Sequence, residues 1–162
     1  MQVELRQPRP LDVRRTFHWL LQKPLRDDFM MANAPQIRTH IRYWRAVLEL
    51  QSKDQFFSIY ADNTHVGNCG IKNIRENCTG EAWIYLGDPY VRGQGIGKRA
   101  MGCLIQEALS MRLAELTLHV SVENKAAKRV YRREGFILVE TGPARSFGFR
   151  ADAEICLMRK SL

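Results

Sequence analysis

The chain has 162 residues, 25 of them basic and 17 acidic, for a formal net charge of +8. That length suits one domain with a substantial core, and no apolar run approaches transmembrane length. Cys69, Cys78, Cys103 and Cys156 lie far apart, with no Cys-x-x-Cys pair and no close His cluster, which argues against a zinc site or a disulfide framework and predicts reduced, mostly buried thiols.

Residues 3–7 read as a short strand bounded by Pro8 and Pro10, and residues 11–21 as a helix. Pro24 and Pro35 flank a Met-rich linker, residues 26–33. Residues 36–50 form a second predicted helix, with Ile37, Ile41, Trp44, Val47 and Leu48 on its apolar side. A three-stranded meander follows. It takes residues 56–61, a turn at Asp62-Asn63-Thr64, residues 66–74, a turn at 76–80, and a strand whose alternating part is residues 81–86. Ile96, Ala100, Met101, Leu104, Ile105, Ala108 and Leu109 then recur at helical spacing. Leu116, Leu118, Val120 and Val122 alternate with Thr117, His119 and Ser121, the pattern of a half-buried strand. Asn124 begins a helix with Ala127, Val130, Tyr131 and Glu134 on one face, and Gly135 is placed to end it. Residues 136–140 and 153–159 read as strands around a loop at 142–148. The order is β-α-α-β-β-β-α-β-α-β-β, without a repeat, a low-complexity segment or a domain boundary. It predicts a single domain over residues 1–162.

The junction of the fourth strand and the third helix is Arg92-Gly93-Gln94-Gly95-Ile96-Gly97. Its glycines leave backbone N–H groups uncovered and let a ligand come close, at a helix N-terminus whose dipole favours negative charge. The expectation is a pyrophosphate site; the plainer alternative is a Gly-rich turn that only starts a helix. No Gly-Lys-Ser/Thr follows, so it is not a Walker loop. The glycines fall one residue out of register with G-x-G-x-x-G, and no parallel βαβ unit opens the chain, so it is not a dinucleotide fingerprint.

The positive surplus suits nucleic acid, a polyphosphate cofactor or an acidic substrate. The basic residues are dispersed, with a denser patch at Lys125, Lys128, Arg129, Arg132 and Arg133, much of which would be a solvated helix face. The N-terminus, Met-Gln-Val-Glu-Leu-Arg, lacks the layout of a signal peptide, and a cytoplasmic location is expected.

Taken in order, Arg92-x-x-Gly95-x-Gly97 after the fourth strand, and Asn124-Lys-Ala-Ala-Lys-Arg-Val-Tyr131 followed by Gly135-Phe136, resemble the GNAT superfamily of N-acetyltransferases. The resemblance covers nearly the whole chain and is sharpest over residues 81–140. It implies an α/β (α+β) fold: a mixed, mostly antiparallel sheet of about seven strands with about four helices, splayed between strands 4 and 5 so that pantetheine enters the gap. Gly87-Asp88-Pro89 is the expected place for the fourth strand to break its pairing, since Pro cannot donate to a ladder. The implied reaction moves the acetyl group of acetyl-CoA to a primary amine by direct attack in a ternary complex, with no metal. Leu86, Val91, Arg92, Gly93, Gln94, Gly95, Ile96, Gly97, Lys98, Arg99, Asn124 and Ala127 are the implied cofactor residues. Asn124 doubles as a helix cap.

Aminolysis of a thioester needs a neutral amine, a donor for the oxyanion and a proton for the thiolate. The resemblance gives the donor as a backbone N–H near Tyr85 or Leu86. Tyr131 matches the family's tyrosine and is the candidate general acid; packing beside Val130 is its alternative role. Glu81, on the face shared with Trp83 and Tyr85, is the candidate base; a surface carboxylate at a strand start is the alternative. Asp88 and His119 are further options, although His119 has no partner nearby in sequence. Phe29, Met30, Trp83 and Tyr85, with Trp44, Tyr43 and Met31, are candidates to line the acceptor pocket, against core packing for each. Arg145 and Arg150 suit an anionic acceptor or plain solvation.

The layout resembles subgroups that act on nucleotide-linked amino sugars or, as ribosomal-protein acetyltransferases do, on protein N-termini. The net charge disfavours polycationic aminoglycosides. A small-molecule amine is the expected partner, with no nucleic acid and no membrane, for a monomer or homodimer. A non-catalytic CoA-binding module is the alternative class, since no recognised DNA-binding or RNA-binding motif is present.

Overall fold

The computed structural model describes residues 1–49, 53–75, 78–149 and 152–162. Leu50 at the end of the second predicted helix, Glu76 and Asn77 of the predicted turn, and Arg150 fall outside them. A seven-stranded sheet runs in the order β1-β2-β3-β4-β5-β7-β6, built from β1 (Val3–Arg6), β2 (Gln55–Ala61), β3 (Thr64–Arg75), β4 (Thr79–Leu86), β5 (Glu115–Ser121), β6 (Ile137–Pro143) and β7 (Glu154–Ser161). Every neighbouring pair is antiparallel except β4 with β5.

The apolar stripe read in the sequence becomes one side of α4 (Ile96–Ser110): Ile96, Ala100, Met101, Leu104 and Ala108 are buried against Val66, Cys69, Ile71, Leu116 and Leu118. After β5, α5 (Lys125–Arg133) is capped by Asn124, whose Oδ1 accepts from the Ala127 amide at 3.0 Å. Gly135, with φ +89°, closes it as expected: the Phe136 amide donates back to Tyr131 O at 3.0 Å. Cys69 and Cys156 are buried, Cys103 is half-buried and Cys78 is exposed, so only half of the thiols are buried as expected.

α1 (Pro10–Leu20) and α3 (Ile37–Leu48) match the two predicted N-terminal helices, but the linker between them is not structureless. It contains α2 (Lys23–Asp28), so the described chain has five helices where the sequence predicts four. Pro24 in the first turn fits a helix start, and Arg26 donates to the carbonyls of Leu20 and Leu21 at 3.0 and 2.6 Å, tying α2 to the end of α1. Six residues are too few for an apolar period to be read. The predicted 142–148 loop likewise carries a 3-10 turn, Ala144–Phe147, and β6 runs further than its predicted end.

α1 also brings a carboxylate into the interior. Asp12 is fully buried and accepts from the hydroxyls of Tyr60 (2.7 Å) and Ser58 (2.9 Å) and from the Arg9 amide (3.0 Å). His65 Nδ1 stands 3.5 Å from Asp12 Oδ1, while His65 Nε2 meets Asn68 Oδ1 at 3.1 Å. Asn68 in turn donates to Thr16 Oγ1 (2.7 Å) and Tyr85 Oη (2.8 Å). This polar chain fixes α1 against the sheet and orients the Tyr85 side chain on β4.

Candidate active site

The β4–β5 ladder is short: Thr79, Gly80 and Glu81 pair with Glu115, Leu116 and Thr117, and there it stops. The remaining residues of β4 stay paired with β3. The break therefore comes six residues before the expected Gly87-Asp88-Pro89. Pro89 is not its cause; Gly87 and Asp88 both donate to Val66 O. A bulge lies one strand over, between Lys72 and Arg75 of β3, where Asn73 takes φ +53°.

A cavity of about 610 Å³ follows the gap. The Gly87 amide points to β3, and amides alternate along a strand, so Leu86 and Ile84 turn theirs to the gap and Tyr85 does not. At one end, Gly93 (φ +77°) and Gly95 (φ +76°) take left-handed conformations, and a Cβ on either would meet nothing within 4 Å. The loop thus offers open backbone. Gly95 caps α4, whose first bond runs from the Arg99 amide to Gly95 O at 3.2 Å, leaving the amides of Ile96, Gly97 and Lys98 without helical partners. Arg92 and Lys98 flank the same loop, and Arg129 and Arg133, one turn apart on α5, also line the cavity. Uncovered donors, a helix dipole and four cations fit the phosphates of acetyl-CoA.

Tyr131 is buried in the cavity wall. Burial, and after it the Asp28 carboxylate, push its phenol well above the ordinary tyrosine value, so it is protonated at neutral pH. Asp28 bridges the two motifs: its Oδ2 is 3.7 Å from Arg92 Nη1, and its Oδ1 accepts from Asn124 Nδ2 at 3.4 Å. Burial raises Asp28 itself, against the opposing pull of Arg92.

Where β4 and β5 part, Glu81 and His119 meet. Glu81 Oε1 lies 3.0 Å from His119 Nδ1 and 3.2 Å from Lys72 Nζ, and Oε2 accepts from Asn73 Nδ2 at 2.9 Å. Burial alone would raise Glu81, yet His119, Lys72 and Asn73 together hold it at about 2. The rings of Phe147 and Phe149 stand edge-on to His119, with centroids 5.4 and 5.2 Å away. Nearby, Phe29 packs edge-on against Trp83 (5.9 Å) and Tyr85 (4.9 Å).

The cavity thus gathers Glu81, Tyr131, Phe29, Met30, Trp83 and Tyr85, together with Leu86, Arg92, Gly93, Gly95, Ile96, Gly97, Lys98, Asn124 and Ala127. Three residues expected at the cofactor are not in its lining. Val91 packs on the core, Gln94 donates to Tyr90 O, and Arg99 reaches back to Met1 O at 2.8 Å. Trp44, Tyr43 and Met31 also stand outside: Trp44 is buried in α3, Tyr43 meets Phe56, and Met31 packs on the cluster of Leu20, Leu25 and Tyr85. Asp88 caps the turn at Pro89–Val91 by accepting from the Tyr90 amide. Arg145 is exposed on its 3-10 turn. Lining residues with no role expected from the sequence include Asp28, Lys72, Arg129, Arg133 and Phe149. For the two arginines, their i,i+4 spacing was the available signal.

A mixed sheet opened between two parallel strands, with open helix-terminal amides at the glycine loop and aromatic residues in the same cavity, suits a protein that grips a phosphate-bearing ligand beside a second one. The chain belongs to the acetyltransferase (GNAT) family, whose sequence profile matches residues 15–136. It is 44% identical over 59 residues to the uncharacterized N-acetyltransferase YycN of Bacillus subtilis (strain 168), a match covering 35% of this chain and 37% of that protein. The chain therefore spans little over a third of the curated relative it matches. Among solved structures it is similar to spermidine N-acetyltransferase from Vibrio cholerae in complex with CoA and spermine, with TM-score 0.86 and 16% identity over 99% of this chain and 95% of that one. It is also similar to RimL, a ribosomal L7/L12 alpha-N-protein acetyltransferase in complex with coenzyme A, with TM-score 0.81 and 15% identity over 100% and 95%. At these identities the likeness is one of fold. No helix among the described residues is long and apolar enough to cross a membrane.

Proposed function

We propose that the chain, acting as one domain over residues 1–162, moves the acetyl group of acetyl-CoA to the primary amine of a small molecule, such as a nucleotide-linked amino sugar. The transfer is by direct attack in a ternary complex, in the cytoplasm. The gap between β4 and β5 carries this reading, because it joins open helix-terminal amides to an aromatic pocket with a paired carboxylate. Acetyl-CoA supplies an activated acetyl group as its thioester. The amides of residues 96–98, with Arg92 and Lys98, hold the pyrophosphate. The Leu86 amide donates to the thioester oxygen as negative charge builds there. Tyr131, kept protonated, gives its proton to the departing sulfur and is restored by the proton the acceptor nitrogen sheds as the amide forms. Phe29, Met30, Trp83 and Tyr85 enclose the acceptor, and the Glu81 end of the gap receives its nitrogen. A lysine-like amine, with a pKa of about 10.4, must first lose a proton there.

Phe29 against Trp83 and Tyr85, and Met30 packed in one cluster with Phe149, favour a compact acceptor over a protein N-terminus. A free-thiol assay of CoA release against amino-sugar nucleotides, N-terminal peptides and aminoglycosides tests this. Release with amino-sugar nucleotides supports the reading, and release with peptides alone moves the acceptor to protein N-termini. Acetyl-CoA binding without release from any of them leaves a non-catalytic CoA-binding module. Failure to bind acetyl-CoA overturns the reading.

A further inference from the structure

We propose that His119 is the group that takes the proton from the acceptor amine, and that Glu81 is the positioning residue that holds its ring ready. This rests on the acetyl-transfer reading above and assigns a residue within it. An ionised carboxylate only accepts hydrogen bonds. With Glu81 Oε1 3.0 Å from Nδ1, the ring proton sits on Nδ1 and the lone pair on Nε2. Glu81 has little left to offer an amine: Lys72 shares Oε1, and Asn73 occupies Oε2. A carboxylate stabilised by three donors is the poorer base of the two. Among the described residues, His119 Nε2 makes no hydrogen bond, and the ring lines the cavity where the strands part.

The surroundings hold the ring in place. Phe147 and Phe149 meet it from the segment before β7, and Leu157 is its β7 neighbour in the sheet. The charged groups facing the pair among the described residues are Glu81 itself, from β4, and Lys72, from β3, whose Nζ also lies 5.9 Å over the Phe149 ring. One proton passes from the acceptor ammonium to Nε2, and the nitrogen keeps the electron pair with which it attacks. The imidazolium so formed faces the Glu81 carboxylate and returns its proton to solvent. A base oriented through its second nitrogen by a carboxylate is a recurring device for proton abstraction.

The variants that test this are Glu81→Gln and His119→Gln, with His119→Ala as a second substitution should Gln disturb the two phenylalanines. Calorimetry with acetyl-CoA checks the underlying reading separately, since neither side chain touches the phosphate cradle. Failure of the wild type to bind sinks acetyl transfer, and wild-type affinity in the variants leaves only the proton step in question. Nitrogen-15 spectra of the imidazole rings come next. The wild type should show His119 as the Nδ1–H tautomer, and Glu81→Gln should shift it toward Nε2–H; an Nε2–H ring in the wild type overturns the proposal. The pH profile of kcat/KM, with the amine that releases most CoA, distinguishes the two roles. His119→Gln should lose roughly 100-fold near neutral pH and recover as the free amine itself deprotonates, toward about pH 10. Glu81→Gln should lose less than His119→Gln does, and its acid limb should not move to higher pH. A limb moved to higher pH makes Glu81 the base and overturns the proposal, as does an unaltered profile in His119→Gln.

Discussion

Gly95→Ala separates what the glycine loop does for folding from what it does for binding. At φ +76° an alanine is held in the left-handed region, at a cost of about 1–2 kcal/mol. No atom lies within 4 Å of the added Cβ, so that strain is the whole folding cost. For a chain of this length each kcal/mol lowers Tm by about 2–4 °C, and the fall should be about 2–8 °C. On the proposed assignment the methyl stands where phosphate oxygens approach the loop. Losing one charge-assisted hydrogen bond costs about 1.5–3 kcal/mol, or ~10–150-fold in Kd. Gly148→Ala is the matched control: Gly148 has φ +83° and open space around its Cβ, but lies outside the 92–98 loop. It should show the same loss of Tm with unchanged affinity. Calorimetry with acetyl-CoA, and thermal melts with and without it, read both quantities. At a ligand concentration 100 times the wild-type Kd, the wild type should gain about 2.7 kcal/mol, and a protein binding tenfold more weakly about 1.4. Equal Kd in the wild type and Gly95→Ala would refute the cradle.

Three further outcomes follow from the geometry. Tyr131→Phe should cut turnover by roughly 100-fold and leave acetyl-CoA affinity intact; unchanged turnover removes the phenol from the mechanism. Asp28→Asn withdraws a carboxylate that competes for Arg92 and Asn124. Acetyl-CoA should then bind about twofold to fivefold tighter at low salt, with the gain fading as salt is added; weaker binding would mean that Asp28 helps to hold the cofactor. Asp12→Asn should cost about 2–3 kcal/mol at neutral pH by disturbing a buried network. Burial pushes Asp12 up, but the hydrogen bonds from Tyr60, the Arg9 amide and Ser58, with His65, outweigh it and leave the carboxyl below its ordinary value. Its stabilisation is thus present above the unfolded pKa of about 3.9 and lost as pH falls through the folded value. Acid denaturation followed by circular dichroism should be steeper in the wild type than in the variant, and equal slopes would count against this account.

The elements that frame the gap were the most legible ones. The period of α4, the alternation of β4 and β5, and Gly135 after α5 are local signals, and each element formed where its residues implied. The pairing of Glu81 with His119 is not local. The two lie 38 residues apart, and the contact exists because the parallel ladder seats Glu81 opposite Thr117, two residues before His119 on the same face. The strand break is not local either: Pro89 is the only signal for it in the sequence, whereas the break falls where a three-residue ladder ends. The Asp12 network was equally hidden, since Asp12, Tyr60 and Asn68 fall on three separate predicted elements and become partners, with His65, only once α1 lies on β2 and β3.

α2 ends in Asp28, which bonds to Asn124 and faces Arg92, and the next residue, Phe29, packs on Trp83 and Tyr85. One short segment is thus shared by the donor half of the cleft and the acceptor half. Inherited changes in this linker that retune which amine is accepted would also alter the grip on the acetyl carrier. The same segment reaches further still, since Met30, two residues beyond Asp28, packs with Phe147 and Phe149 beside His119.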